Sequence, residues 1–305
     1  MNYTVIIPVF NGAQTVVGVV KEVFEVFKLI NETVEVILID DYSTDNSWSV
    51  INKLVDSKAY DIKAIRLSKN FGQHNAIFCG LNFTKGSYII TIDDDGQNPP
   101  SEIPKLIKRI RETDADIVYG LYAEKKHNIF RNISSNIVQV VFKNVFKAKG
   151  NFTAFRCMKK QLAQKIIKVN KHYIFLDGII QWHTNNVAYT EVQHTSRTAG
   201  ESGYSLLKLL KLSSNMVFNF TTLPLRLLVI IGAVGSIVSF IAAMVYLYRY
   251  FVWAVPMGFS SIILSILFLG SAIMFGFGIL SEYLIRIYNL QNEKPAFSID
   301  EQIGA

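Results

Sequence analysis

The sequence "SYIITIDDDGQNPP" (Ser87–Pro100) places three adjacent carboxylates, Asp93, Asp94 and Asp95, directly after a short apolar run. Adjacent carboxylates repel one another and are costly to bury unpaired. One interpretation is a solvated turn, because Asp, Gly, Asn and Pro all favour turns. The other is a cation site, because hard divalent ions bind clustered carboxylate oxygens. This stretch alone does not separate the two.

Short apolar, β-branched runs alternate with helical patterns on both sides of these carboxylates. This alternation predicts an α/β fold with a parallel, doubly wound sheet. Ser101 is predicted to begin one helix, and Gly86 to end another. The predicted strands cover 3–7, 34–39, 62–67, 88–92 and 117–119, and the predicted helices cover 13–30, 46–57, 73–84 and 101–113.

Three polar clusters follow predicted strands: "PVFN" (Pro8–Asn11), "DDYSTD" (Asp40–Asp45) and "DDDGQNPP" (Asp93–Pro100). Ligands of open α/β sheets bind beyond the carboxyl ends of the strands. Three such clusters at one edge of one sheet are hard to explain as solvated turns. They favour a functional role for Asp93–Asp95.

Two glycine-rich phosphate-binding motifs are missing from the sequence. No G-x-G-x-x-G follows the first strand, and no G-x-x-x-x-G-K-[ST] occurs, which disfavours a dinucleotide oxidoreductase and a P-loop NTPase. Carboxylates and phosphates repel, so a phosphorylated ligand held at these carboxylates needs a bridging cation. The sequence therefore predicts a nucleotide diphosphate bound through Mg²⁺ or Mn²⁺.

The C-terminal third contains two long runs without a charged residue, 227–248 and 250–281, and mean hydropathy is +0.27. Each run exceeds the roughly 20 apolar residues that a spanning helix needs. The sequence thus predicts two membrane helices in a hairpin, at about 225–248 and 258–282, within 223–288. The remaining predicted parts are a cytoplasmic catalytic domain over 1–202, a juxtamembrane amphipathic helix over 203–222 and a tail over 289–305.

Basic residues predict the orientation of the two spans. Arg249 alone lies between them, whereas Lys208, Lys211 and Arg226 precede them and Arg286 and Lys294 follow. The start "MNYTVIIPVFNG" has no basic region of the signal-peptide type. We therefore expect the catalytic domain and both termini in the cytoplasm, where Cys79 and Cys157 would be free thiols. The net charge of +7 could suggest nucleic acid as a partner, but beside two predicted membrane spans anionic lipid and phosphate ligands explain it better. We therefore expect no nucleic-acid partner.

The segment 128–149 carries apolar residues on one helical face, with basic residues interspersed. Such a pattern is typical of a helix at a membrane surface. It is equally compatible with a helix packed on the sheet.

The ordered motifs "VIIPVFN", "VILIDDYSTDNS", "LSKNFGQHNAIFCGL", "GSYIITIDDDGQNPP" and "RTAGESGYSLLKLLKL", followed by two apolar helices, resemble family 2 glycosyltransferases. More narrowly, the chain is similar to the polyprenyl-phosphate glycosyltransferases, which include dolichol-phosphate mannose synthase and bacterial undecaprenyl-phosphate sugar transferases. The resemblance implies a GT-A fold at the bacterial inner membrane. It also implies inverting transfer from a nucleotide sugar, UDP-glucose or a related UDP-hexose, to polyprenyl phosphate.

The resemblance also implies site residues, of which Asp93, Asp95 and Arg131 would be catalytic. The metal ligands would be Asp93, Asp95 and Gln97, with Asp94 between them directed elsewhere. The nucleotide sugar would contact Pro8, Asn11, Asp41, Lys69, Asp93 and Asp94. The acceptor phosphate would contact Arg131, Ser135, Arg197 and Ser202.

The acceptor chemistry bears on the need for a base. A hydroxyl acceptor needs a general base, but a phosphate monoester with a second pKa of about 6 is already a dianion near neutral pH. Asp177 is therefore interpreted as a contact of a sugar hydroxyl, with a helix cap as the alternative. The histidines show no zinc-ligand spacing, and His74 is the one nearest the donor edge.

Three positions depart from the family pattern. Tyr122 stands where the family often has Arg, Ala154 replaces the Asp of D-F-R while Arg156 is kept, and Gly203 replaces a Lys. These departures concern the sugar and the acceptor rather than the donor nucleotide and the metal.

Two alternative functions remain at this stage. A polysaccharide synthase usually carries Q-x-x-R-W, whereas here Gln181 and Trp182 are adjacent. A catalytically silent scaffold that binds nucleotide sugar is the other alternative, and the intact Asp93, Asp95 and Gln97 speak against it. Two lone spans also leave lateral surface for self-association.

Overall fold

The computed structural model describes residues 2–122, 152–169, 174–193, 223–253, 258–291 and 295–304. The chain divides into two compact units, Met1–Gly203 with Lys294–Ala305, and Tyr204–Glu293. The predicted helices over 128–149 and 203–222 lie outside the described residues.

The first unit is built on one mixed sheet, with eight strands among the described residues. The strands are β1 (Tyr3–Val9), β2 (Val34–Asp40), β3 (Ile62–Leu67), β4 (Tyr88–Thr91), β5 (Ile117–Tyr122), β6 (Arg156–Lys159), β7 (Val187–Val192) and β8 (Ile299–Gly304). Their order across the sheet is β7-β5-β6-β4-β1-β2-β3-β8.

The centre of the sheet, β4-β1-β2-β3, is parallel throughout, as the sequence predicts. Every residue of β1 and β2 is buried. Strands covered on both faces read as continuous apolar runs rather than as alternating ones. The helices of this unit are α1 (Val16–Leu29), α2 (Ser47–Asp56), α3 (Gln73–Leu81), α4 (Ile103–Thr113), α5 (Lys160–Ile166) and α6 (Leu176–His183).

The outer strands contain pairings that the sequence analysis did not predict. β6 runs antiparallel to both β4 and β5, and β8 runs antiparallel to β3. β8 is formed by residues within the predicted C-terminal tail, so the chain after the apolar helices contributes an edge strand to the catalytic sheet.

The predicted helices differ from the structure by up to three residues at their ends, and neither Gly86 nor Ser101 bounds a helix as predicted. α3 ends at Leu81, five residues before Gly86. Gly86 instead lies against β1, where an added Cβ would be 2.5 Å from the carbonyl carbon of Tyr3. Ser101 lies in a short 3-10 turn, and α4 begins at Ile103.

The second unit contains α7 (Leu223–Trp253) and α8 (Phe259–Gln291). Among its described residues, one segment, Phe268–Ile285, has the length and apolar composition of a membrane span. The predicted first span falls within α7, and the prediction of two spans in a hairpin stays a prediction. Within this unit Gly276 of α8 faces Leu228 of α7, since an added Cβ would be 3.5 Å from Leu228 Cδ1.

Candidate active site

The carboxyl ends of β1, β2 and β4 bring the predicted polar clusters to one edge of the sheet. Val9 and Asp40 are register partners, and the Asp41 amide donates to the Val9 carbonyl at 2.9 Å. Pro8 is buried within β1, while Asn11 projects from the loop that follows it. The loops after β1 and β2 are therefore neighbours.

Asn11 ties these two loops together. Its φ of 56° lies in the left-handed region, which Asn adopts more readily than most residues. Its side-chain oxygen accepts from the Thr44 amide at 2.9 Å, and its own amide donates to Ser43 Oγ at 3.0 Å. Asp45 adds a second tie by accepting from the Ala13 amide at 3.2 Å. Asp45, to which no role was assigned from the sequence, also accepts from the Ser47 amide at 2.9 Å at the start of α2.

Asp41 is a buried carboxylate that is held by the loop after β3. It accepts from the Phe71 amide at 2.7 Å and from the Gly72 amide at 2.8 Å, one bond on each oxygen. Gly72 has φ 90°, a conformation that favours glycine. Burial outweighs these bonds and raises the pKa of Asp41 to about 6.

The neighbouring carboxylate, Asp40, is fully buried and also has internal partners. Its Oδ2 lies 3.4 Å from Arg66 Nε and accepts from the Ser43 amide at 3.3 Å. Burial raises the pKa of Asp40. Lys69 is exposed, and its Nζ lies 5.0 Å from the centre of the Phe71 ring.

The carboxylates after β4 have a different environment. Asp93 accepts from the side-chain amide of Gln73, and Asp95 Oδ1 accepts from the Gln97 amide at 3.0 Å. Asp94 Oδ2 is buried and has no hydrogen-bond donor. It points at the loop after β1, where a Cβ on Gly12 would lie 2.0 Å away. Burial, reinforced by the charges of Asp93 and Asp95, raises the pKa of Asp94 to about 7.

The side chains of Asp93, Asp95 and Gln97 are chemically compatible with part of a divalent-cation site. Among the described residues, no group of three or more His, Cys, Asp and Glu side chains is arranged to hold a metal alone. Mg²⁺ in phosphate-transfer sites is commonly held by one or two carboxylates together with substrate phosphates and water. Asp93, Asp95 and Gln97 carry oxygen atoms suited to such a partial set, and their role as metal ligands stays a prediction.

A cavity of about 530 Å³ opens beside these carboxylates. Asn11, Asp45, Asp94 and Asp95 all line it, so the loops after β1, β2 and β4 share one space. The structure thus brings together two predicted donor-side residues, Asn11 and Asp94, and the predicted metal ligand Asp95.

A buried ion pair is hydrogen-bonded to Thr91, which precedes Asp93 by two residues. Arg156, 1% exposed, pairs through Nη1 with Asp177 Oδ1, and the Tyr119 hydroxyl donates to the same oxygen at 3.1 Å. Arg156 Nε also donates to Thr91 Oγ1 at 3.1 Å. Arg156 has no role that its local sequence reveals, because its partner Asp177 lies 21 residues further along the chain.

Asp177 therefore forms an internal ion pair with Arg156, separately from any contact with a sugar. It is the second residue of α6, and the capping position is occupied by Phe175, whose side chain makes no capping bond. His74 packs edge-on to Phe175 at 5.2 Å between ring centres. Burial lowers the pKa of His74, so its imidazole is neutral near pH 7. The sugar contact of Asp177 stays a prediction.

Two departures from the family pattern, Tyr122 and Ala154, are among the described residues, and Tyr122 lies near Asp93 and Asp95. Tyr122 ends β5 and hydrogen-bonds to Asn98. Burial, with the charges of Asp93 and Asp95 contributing, raises the pKa of Tyr122 to about 12. The Ala154 carbonyl accepts from the Thr91 hydroxyl. Gly203 and the predicted acceptor residues Arg131, Ser135, Arg197 and Ser202 lie outside the described residues.

Residues 4–171 match the model of glycosyl transferase family 2. The undecaprenyl-phosphate 4-deoxy-4-formamido-L-arabinose transferase of Yersinia enterocolitica is 30% identical over 99% of this chain and 94% of its own length. The enzyme of the same name from Serratia proteamaculans is 29% identical over the same shares.

Solved structures share the fold at low sequence identity. Mannosyl-3-phosphoglycerate synthase from Rubrobacter xylanophilus superposes with a TM-score of 0.52 at 15% identity, over 71% of this chain and 72% of that chain. Glucosyl-3-phosphoglycerate synthase from Mycobacterium tuberculosis, solved with Mn²⁺, UDP-glucose and phosphoglyceric acid, has a TM-score of 0.52 at 13% identity, over 71% and 77%. The predicted GT-A fold is confirmed.

Proposed function

The chain belongs to glycosyl transferase family 2, and on that basis we propose that it transfers a sugar from a nucleotide sugar to undecaprenyl phosphate. The similarity to undecaprenyl-phosphate sugar transferases over 99% of the chain carries this proposal. It extends beyond the catalytic domain to the apolar helices, where a lipid acceptor would be met. The product would be a polyprenyl monophosphate sugar, with inversion at the anomeric carbon, for use in later cell-envelope glycosylation.

On the donor side, the base and ribose would lie over the ends of β1, β2 and β3, against Pro8, Asn11, Asp41 and Lys69. The diphosphate would approach the end of β4, with Asp94 at the side of the pocket. Asp93, Asp95 and Gln97 would hold Mg²⁺ or Mn²⁺, which when bound stabilises negative charge on the leaving diphosphate. The cavity that Asn11, Asp94 and Asp95 share supports this arrangement.

On the acceptor side, the reaction needs no protein base. The phosphate monoester is already a dianion near neutral pH, so its oxygen can attack the anomeric carbon directly. Arg131, Ser135, Arg197 and Ser202 would bind this phosphate and hold it in line with the breaking bond. Two nearby carboxylates, Asp41 and Asp177, are already bonded within the protein, which is consistent with a mechanism that uses neither as a base.

The sugar is proposed as a glucose-type UDP-hexose. The Yersinia and Serratia relatives are named for a modified arabinose, so a modified UDP-pentose is the competing donor. Tyr122 is uncharged and lies near Asp93 and Asp95, so it would favour contact with an uncharged part of the sugar.

We place the enzyme in the bacterial inner membrane as a multi-pass protein with the catalytic domain and both termini in the cytoplasm. The long apolar α7 and α8 support this placement, since large apolar side chains such as Val229, Phe268 and Met274 are 70–72% exposed. Reporter fusions at Gly203 and Ala305 test the topology, and a periplasmic signal from either fusion would overturn it.

A lipid-extraction assay tests the reaction. Purified protein in detergent receives undecaprenyl phosphate, Mg²⁺ and one labelled donor at a time from a panel of UDP-, GDP- and dTDP-sugars. We expect label in the organic phase with one UDP-hexose, and none after EDTA. Label from a UDP-pentose alone would correct the sugar. Donor binding with no lipid product from any donor would reject the acceptor.

A further inference from the structure

The C-terminal segment, residues 295–304, is built into the catalytic sheet. Its strand β8 pairs antiparallel with β3, and Glu301 is the register partner of Arg66. Opposite charges directly across an antiparallel pair stabilise it. The strand ends at Gly304, with φ 86°, where an added Cβ would lie 2.3 Å from the Ile62 carbonyl oxygen. This close approach indicates a fitted edge strand.

Side chains of the neighbouring helices fix the same segment. Trp48 of α2 donates through Nε1 to Glu301 Oε2 at 2.9 Å. Phe297 meets Phe78 of α3 at 6.2 Å between ring centres. The C-terminal segment is thus held by β3, α2 and α3 together.

Two further bonds lie on either side of the loop Ser68–Gly72. At the first residue of the loop, the Ser68 amide donates to the Ser298 carbonyl at 2.9 Å. After it, the Asn75 side-chain amide donates to the Ala296 carbonyl at 2.7 Å. Between these anchors the Phe71 and Gly72 amides donate to Asp41. The loop that holds the proposed base-binding carboxylate is therefore fastened at both ends to the C-terminal segment.

We propose that the C-terminal segment is a positioning element of the donor-nucleotide site, acting through the loop Ser68–Gly72 on Asp41. The donor role rests on the proposed function, whereas the bracing of the loop rests on the hydrogen bonds alone. Without the segment, β3 becomes an open edge and the loop loses both anchors. The loop amides then exchange between Asp41 and water, and the nucleotide must order the loop as it binds.

A matched pair of asparagine variants tests the bracing. Asn75→Asp removes the donor to Ala296, and Asn82→Asp removes an equivalent donor just after α3, whose acceptor is the Phe78 carbonyl rather than a carbonyl of the segment. We expect hydrogen exchange at the Phe71 and Gly72 amides to rise at least tenfold in Asn75→Asp and to stay unchanged in Asn82→Asp. Exchange in β5 serves as an internal reference. Equal exchange in both variants would overturn the proposal.

Nucleotide binding tests the donor role. We expect the Kd of UDP with Mn²⁺ to rise about tenfold in Asn75→Asp, and the KM for the nucleotide sugar to rise with it, while the KM for undecaprenyl phosphate is unchanged. A purely structural role would lower activity with both substrates alike. Raised exchange with an unchanged Kd would refute the donor role.

A truncation after Glu293 extends the test. We expect a larger loss of UDP affinity than in Asn75→Asp, and recovery when a peptide of residues 294–305 is added, because an extended peptide can add to an open sheet edge. Full affinity without the peptide would overturn the proposal. If the wild type binds none of UDP, GDP and dTDP while exchange still rises in Asn75→Asp, the proposed function fails and the bracing stands.

Discussion

Two acidic clusters lie at the carboxyl ends of β2 and β4 in the same sheet, and their carboxylates differ in their hydrogen-bond partners. The base-side pair, Asp40 and Asp41, accepts from the Ser43, Phe71 and Gly72 amides, and Asp40 also forms an ion pair with Arg66. In the metal-side triplet, Asp93 and Asp95 accept from Gln73 and Gln97, whereas a buried oxygen of Asp94 has no hydrogen-bond donor.

The difference separates two uses of the same residue type. Carboxylates whose oxygens accept backbone amides act as clamps, because each bond fixes a neighbouring loop. At Asp94, burial raises the pKa and the charges of Asp93 and Asp95 add to the effect. A cation from outside the protein would offset this crowding of negative charge. We propose that the base-side pair shapes the pocket and that the metal-side triplet would hold the cation. Four experiments test that contrast.

The largest effect is expected from Asp95→Asn. The substitution keeps the shape of the side chain but removes a ligand charge, so we expect turnover to fall at least about 1,000-fold, equivalent to about 4 kcal/mol of transition-state stabilisation. Lipid extraction measures turnover, and the melting temperature should be unchanged. Asp56→Asn, on an exposed helix end, is the matched control. Near-normal activity in Asp95→Asn would reject the metal assignment.

Asp41→Asn breaks the base-side clamp. The amide can accept from one loop amide but turns its own donors toward the other, so a buried donor is left unpaired at a cost of about 1–3 kcal/mol. We expect the Kd of UDP to rise about 30-fold and exchange at Phe71 and Gly72 to increase. Calorimetry and hydrogen exchange measure the two effects. Unaltered UDP binding would remove Asp41 from the donor site.

The pH dependence of donor binding sharpens the same contrast. Burial raises the pKa of Asp41 to about 6, so the carboxylate gains its charge as pH rises through that value. If the ionised form accepts from the base, affinity for UDP-glucose should increase about tenfold from pH 5 to pH 7. The charge also costs folding stability, which should fall as pH rises from about 4 to about 6.

Asp41→Asn provides the control for this titration. Its affinity should lack the contribution that titrates near pH 6, and the difference between the two profiles isolates Asp41 from the metal-side triplet. Identical slopes in the two proteins would assign the titration elsewhere.

Gly12→Ala is expected to have the smallest effect. The new Cβ would lie 2.0 Å from Asp94 Oδ2, so the carboxylate must move. Overpacking of this kind costs about 1–3 kcal/mol, and a flexible side-chain end places the expected loss of stability near the lower limit. Denaturant unfolding measures it, and Gly18→Ala, where an added Cβ meets nothing within 4 Å, is the control. A stability equal to the control would show that Asp94 moves without cost.

Much of the central sheet could be predicted from the sequence, because parallel strands covered on both faces carry continuous apolar runs. The predicted strand over 62–67 coincides with β3, and the others differ by a few residues at their ends. β8 was missed because "IDEQIG" is polar and has no apolar pattern; it forms only because β3 offers an open edge and because Trp48 and Asn75 hold the segment.

The sequence by itself determined the family, the central strands and the positions of the two acidic clusters, since these depend on local composition and on motifs in order. Only the tertiary structure decided which carboxylates have donors. Asp41 meets Phe71 and Gly72 across 30 and 31 residues, and Arg156 meets Asp177 across 21. Hydrogen bonds between residues distant in the chain leave no local pattern, because each partner's residue type is compatible with many other environments.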